Sequence, residues 1–178
     1  MSIALKRRGV LGLVLVVAPL VAVRAQSLKE IDEREAAVLD AWDKTPLTVR
    51  RAFFVAEKAA GFGMADERSS KVFKPGEPLV CYVEPVAYGF KSAGGGAYDF
   101  GFDIDAVLTG SPKAEELMSK KDFLHIRQHS RVKNRELFLT LTLNLTGAPA
   151  GDFVLEWTLR DIAGPKEAKV SLPFSIRA

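Results

Sequence analysis

The 178-residue chain has one cysteine, two histidines and, past its first 25 residues, no excess of basic over acidic residues. With Cys81 alone, no intrachain disulfide can form, so no covalent staple supports the fold. Both histidines fall in one short segment and no Gly-x-Ser-x-Gly elbow occurs, which leaves nucleophilic hydrolase chemistry poorly supplied. The formal charge of +3 is misleading. Setting aside Lys6, Arg7, Arg8 and Arg24 leaves 21 basic residues against 22 acidic, a net charge of −1. The electrostatic footprint of a nucleic-acid binder is therefore missing. Beyond residue 25 no apolar run is long enough to span a bilayer, so no membrane span is expected there.

What is present begins at the start of the chain. Lys6-Arg7-Arg8 is a cationic stretch, Val10 to Val23 is apolar and interrupted by Pro19, and Val23-Arg24-Ala25 ends on a small residue. That order predicts a secretory signal peptide over residues 1–25, cut between Ala25 and Gln26, and hence a periplasmic or secreted protein. The rival is a retained anchor, but Gly9–Val23 is 15 residues, short of the ~20 that a spanning helix needs. No cysteine follows the apolar run, so lipid anchoring there is not expected. Arg7-Arg8-Gly9-Val10-Leu11 loosely fits a twin-arginine export signal and leaves the export route open between that and the general pathway.

Residues 26–50 are expected to form an N-terminal helical segment. Ser27-Leu28-Lys29-Glu30 has the spacing of a capping box. Leu28, Ile31, Val38, Leu39 and Trp42 follow at helical spacing with Glu35 interrupting, which predicts an amphipathic helix over 28–42 that packs across an end or edge of the body. Thr45-Pro46 fits either a second helical turn or a loop.

Residues 51–178 change to a period of two. Strands are predicted at Phe54-Val55-Ala56, Leu79–Glu84, Tyr98–Leu108, Phe123–Arg131, Leu137–Leu145, Phe153–Leu159 and Val170–Ile176. Lys74-Pro75-Gly76-Glu77 and Gly147–Gly151 read as turns, Gly94-Gly95-Gly96 as a hairpin tip, and Lys113–Lys120 as a short helix. Alternating apolar positions, with few continuous runs, predict antiparallel sheets with one wet face each. The fold class expected is mainly β: an antiparallel immunoglobulin-like β-sandwich with a short N-terminal amphipathic helix. Cys81 shares a face with Leu79 and Val83 and is expected to be a buried small hydrophobe rather than a reactive thiol.

Candidate sites are few. His125, Arg127, His129 and Arg131 lie two apart, so a strand turns all four to one side as a basic stripe suited to an anionic ligand. His125 and His129 are then about 13 Å apart, too far to share a zinc ion. The competing account pairs this stripe with Asp99, Asp103 and Asp105 of the preceding strand on one solvated face. Asp103-Ile104-Asp105 lacks the turn and central glycine of a calcium loop, and Gly94-Gly95-Gly96 lacks the lysine and helix of a phosphate loop. No metal and no cofactor is expected. Tyr88, Phe90 and Tyr98, beside the glycine tip, form an aromatic segment suited to binding a partner.

Phe73-Lys74-Pro75-Gly76-Glu77-Pro78-Leu79, running on to Tyr82-Val83-Glu84-Pro85, resembles a segment of uncharacterised exported alphaproteobacterial proteins. So does Asn144–Leu155 with Asp161 and the closing Pro173-Phe174-Ser175-Ile176. The ending is also similar to the last hairpin of bacterial immunoglobulin-like domains, which implies the fold and no reaction. The function expected is a non-catalytic exported binding protein, its partner an envelope protein or polysaccharide. The alternatives are a cell-envelope hydrolase using carboxylates such as Glu57, Glu77 and Glu84, or a chaperone-like assembly module with an open sheet edge.

Overall fold

The structure, a computed structural model, describes residues 28–111 and 115–177. The leader, its cleavage site and the Ser27 cap lie outside those residues. The first element is a helix, α1 (Leu28–Lys44), two residues longer than its apolar spacing predicts. Thr45 ends it: its amide and hydroxyl donate back to the Ala41 carbonyl, at 3.1 and 2.8 Å. A residue before proline is disfavoured in helical geometry, so Thr45-Pro46 leads into loop and then strand, with no second turn.

Among the described residues nine strands follow: β1 (Thr48–Phe54), β2 (Val72–Phe73), β3 (Leu79–Val86), β4 (Lys91–Gly94), β5 (Ala97–Ser111), β6 (Glu115–Ser130), β7 (Leu139–Leu143), β8 (Gly151–Asp161) and β9 (Glu167–Ile176). They form two sheets. The smaller has the order β1-β3-β7, all antiparallel. The larger runs β2-β9-β8-β5, with β6 along the other side of β5. β4 pairs the start of β5 end to end with β8, and β2 joins β9 in parallel.

Two expectations are corrected. The first strand starts at Thr48 rather than Phe54 and stops short of Ala56. Its early half carries Arg50 and Arg51 on an exposed edge with a bulge, which hides the alternation. Residues 115–120 are strand, not helix. Glu-Glu-Leu-Met-Ser-Lys-Lys favours helix locally, but β5 offers ladder partners to Glu115, Glu116 and Met118–Lys120, with Leu117 at a bulge, and pairing overrides propensity. Residues 112–114 lie outside the described set.

One apolar cluster joins the sheets. Leu79, Cys81, Val83 and Leu141 of the small sheet meet Phe102, Ile104, Leu155, Trp157 and Leu159 of the large one, all buried. Each such side chain contributes about 1.5–3 kcal/mol relative to exposure. Burial pushes the Cys81 thiol up to about 12, so the sulfur is inert at neutral pH. A second, smaller cluster of Phe53, Val55 and Tyr82 lies on the other face of the small sheet, beneath the chain that runs from β1 to β2.

Glycine is required at a hairpin tip and at one close approach of two strands. The tip between β4 and β5 holds Gly94, Gly95 and Gly96 at φ of 82, 58 and 75°, a run of left-handed residues that closes the hairpin. Gly101, at φ 143°, faces the β6 backbone so closely that a Cβ would sit 2.1 Å from the Ile126 carbonyl oxygen.

Helix α1 does not lie across the body. Among the described residues only its last turn docks. Trp42 is buried, its indole N–H donates to the Tyr88 carbonyl at 2.7 Å, and its ring meets Tyr88 edge-on at 5.1 Å. Lys166 completes the anchor by donating to the Asp43, Thr45 and Ala87 carbonyls, at 3.1, 2.8 and 2.9 Å. The first three turns stand clear. Leu28, Ile31 and Val38 are 72, 48 and 46% exposed.

Candidate functional site

The basic stripe and its acidic partners come together on the outer face of the large sheet. β6 is the antiparallel neighbour of β5, with His129 opposite Asp99 and His125 opposite Asp103. Each pair is joined through Nδ1 at 2.7 Å. Arg127 also pairs with Asp103, and donates to the Phe102 carbonyl at 3.0 Å. Arg160 of β8 holds Asp105 through two hydrogen bonds of 3.0 and 2.9 Å, and also pairs with Asp122. Arg131 instead donates to the Gly95 carbonyl.

These contacts favour the ionised carboxylates. The hydrogen bonds from His125 and then Arg127 hold the Asp103 carboxyl below its ordinary range, and the Arg160 hydrogen bond does the same for Asp105. The expected cross-strand charge pairing is therefore formed. Exposed pairs of this kind add about 0.2–1 kcal/mol each and fix register.

A bulge in β6 places Asp122, at φ 54°, beside this ladder, with its amide donating to Asp105 at 2.8 Å. Donor atoms of Asp103, Asp122 and His125 thus lie within 4.8 Å of one another. A cation there would compete with Arg127 and Arg160 for both carboxylates. The donor set suits ion pairing better than metal binding.

The carboxylates considered for hydrolysis do not converge. Glu77 pairs with Arg68 at 2.5 Å and accepts the Lys74 amide, which chiefly lowers its pKa. Glu84 is buried on the outer side of the small sheet. It accepts the Tyr82 phenol at 2.7 Å and has Arg51 at 3.8 Å. Burial, helped by Glu84, raises the pKa of that phenol. Glu57 and Glu77 line different cavities.

The aromatic segment differs from its expected role. Tyr88 is fully buried, packs on Phe100 and Phe102, and donates its phenol to the Asn134 carbonyl at 2.6 Å. Burial raises its pKa. It has no surface to offer a partner; an aromatic ring alternating with apolar neighbours is core here. Phe90 and Tyr98 are half-buried, edge-on to each other at 6.3 Å, with Lys133 over both rings.

Trp42 and Asn134, both hydrogen-bonded to Tyr88, line a cleft that the sequence does not reveal. The cleft has a volume of about 610 Å³ and lies between α1 and the sheets. Glu35, Val38 and Trp42 form one wall. Arg50, Phe62, Val86 and the segment Val132–Glu136 form the other. Its volume falls in the range of ligand-sized pockets, roughly 300–1,000 Å³. The exposed apolar stripe of α1 therefore continues directly into a partly apolar hollow. Lys133 lies 3.7 Å from Asp43. Arg50 and the half-buried Arg135 make no ion pair or side-chain hydrogen bond among the described residues. The helical stripe was legible as a pattern; the loop residues Val132 and Arg135 carry no periodic signal that would have identified them.

No family model matches the chain, and no curated protein sequence matches it. Among solved structures it is similar to the superoxide reductase (neelaredoxin) from Ignicoccus hospitalis, at 12% identity and a TM-score of 0.37, over 85% of this chain and 100% of that one. A variant of the same protein aligns with the same identity and TM-score over 85% of this chain and 99% of its own. A likeness of that size carries no argument about fold or chemistry.

Proposed function

We propose that this is an exported, non-catalytic β-sandwich of immunoglobulin-like type that works by binding a protein partner of the cell envelope. The observation that carries the reading is the apolar stripe of α1, which no other described residue covers at Leu28 and Ile31 and which runs into the cleft beside Arg50 and Arg135. An exposed apolar face on a folded protein, even one interrupted as here by Glu35, is the kind of surface that another molecule covers. Residues 1–25 support export. The division of strands supports the immunoglobulin-like type. The order β1-β3-β7 in one sheet and β9-β8-β5 in the other is compatible with strands A-B-E and G-F-C of that type.

The test is capture from native envelope extract with the immobilised protein, compared with Val38→Asp and Arg135→Glu. Both variants should fold normally and lose the partner that the wild type retains. Equal capture by all three would remove the cleft as the binding surface.

A further inference from the structure

The geometry points to a second copy of this chain as the occupant of the cleft: α1 of each copy seats against α1 and the cleft of the other, in a symmetric antiparallel pair. This rests on the cleft being a binding surface and names what fills it.

Charge complementarity chooses the occupant. α1 has six acidic and three basic residues around its apolar stripe, a net charge of −3. Asp32 and Glu35 make no ion pair or side-chain hydrogen bond among the described residues. The facing wall presents Arg50 and Arg135, equally unpaired, which outnumber its one acid, Glu136. An amphipathic helix with an apolar stripe and free acids is the ligand that such a wall fits, and the chain presents one. The same acidity disfavours an anionic lipid surface, which attracts basic helices.

Reach also fits. At 17 residues α1 is roughly 25 Å long. Only its last half borders its own cleft, while Leu28 and Ile31 project beyond it. In an antiparallel pair the projecting half of one helix lies over the cleft half of the other. Ile31 of the second copy then meets Val38 and Val132, the two exposed valines of the cleft. A twofold axis repeats every contact, as isologous interfaces require.

The experiment is light scattering after size-exclusion on protein purified from cells expressing the whole sequence. The wild type should have twice the chain mass. Ile31→Asp should raise the dimer dissociation constant at least about tenfold, as loss of an interface anchor does, with an unchanged circular-dichroism spectrum. Charge reversal gives the decisive arm. Arg135→Glu alone, and Asp32→Arg with Glu35→Arg alone, should each be monomeric. Mixed, they should form a heterodimer, because one acid–base contact keeps its native signs and the other is restored with its signs swapped. A wild type that remains monomeric, or a mixture that remains monomeric, overturns the second-copy assignment. If envelope capture is still lost in Val38→Asp in that case, the cleft stands as a site for another protein; if capture is unchanged, both readings fall.

Discussion

Replacing Trp42 by alanine separates the part of α1 that belongs to the fold from the part that does not. Trp42 is buried, and it supplies the indole N–H that satisfies the Tyr88 carbonyl. Trp→Ala changes in cores cost about 3–5 kcal/mol. Loss of the donor leaves a buried carbonyl short of a partner, which places this site in the upper part of that range. Taking a urea dependence of about 2 kcal/mol per molar, the unfolding midpoint should fall by roughly 2 M. Ile31→Ala, eleven residues earlier on the same helix, should shift stability by no more than about 0.5 kcal/mol, because its side chain is half exposed and outside both apolar clusters. Alanine is also the better helix former, so a small gain is as expected as a small loss. The assay is urea unfolding followed by far-ultraviolet circular dichroism, at low protein concentration so that self-association does not contribute. A cost below about 1 kcal/mol for Trp42→Ala, or above that for Ile31→Ala, would refute the division of α1 into an anchor and a free arm.

Other expectations follow from the sheets. Gly101→Ala should destabilise by at least about 1–3 kcal/mol, the strain of a disallowed backbone plus a Cβ against the Ile126 oxygen, read by thermal unfolding. Arg127→Glu should lower stability slightly and be rescued by Asp103→Arg; a double-mutant cycle without coupling would reject the pairing. Cys81 should resist iodoacetamide at pH 8 in the native protein and react on unfolding, and rapid native labelling would contradict its burial. Asp103 and Asp105 have folded pKa values below their unfolded ones, so their contribution is present above the ordinary carboxylate range and disappears as pH falls below it. Unfolding midpoints between pH 5 and 2 should fall less steeply in Arg160→Gln than in the wild type.

The strands were legible wherever one face is buried and the other wet. Tyr98–Leu108 and Phe153–Leu159 alternate without interruption because each contributes every second side chain to the shared core. The start of β6 was not legible, since its side chains are mostly exposed and only the β5 backbone dictates their conformation. The His–Arg stripe and its acids were legible because a two-residue period fixes their side and pairing fixes their partners. The burial of Tyr88 is not legible, because sequence shows that an aromatic residue is present but not which way a loop turns it. The cleft was invisible for the same reason: its walls come from α1, β1, the chain near Phe62 and the turn after β6, brought together only by the fold.

Amide hydrogen exchange measured at low and at high protein concentration tests most directly whether the bare face of α1 is a working surface. The account predicts that amides in α1 and in residues 132–136 exchange more slowly as concentration rises, while those of the β5–β6 ladder do not change. Protection that is independent of concentration, in the presence and absence of envelope extract alike, would contradict it.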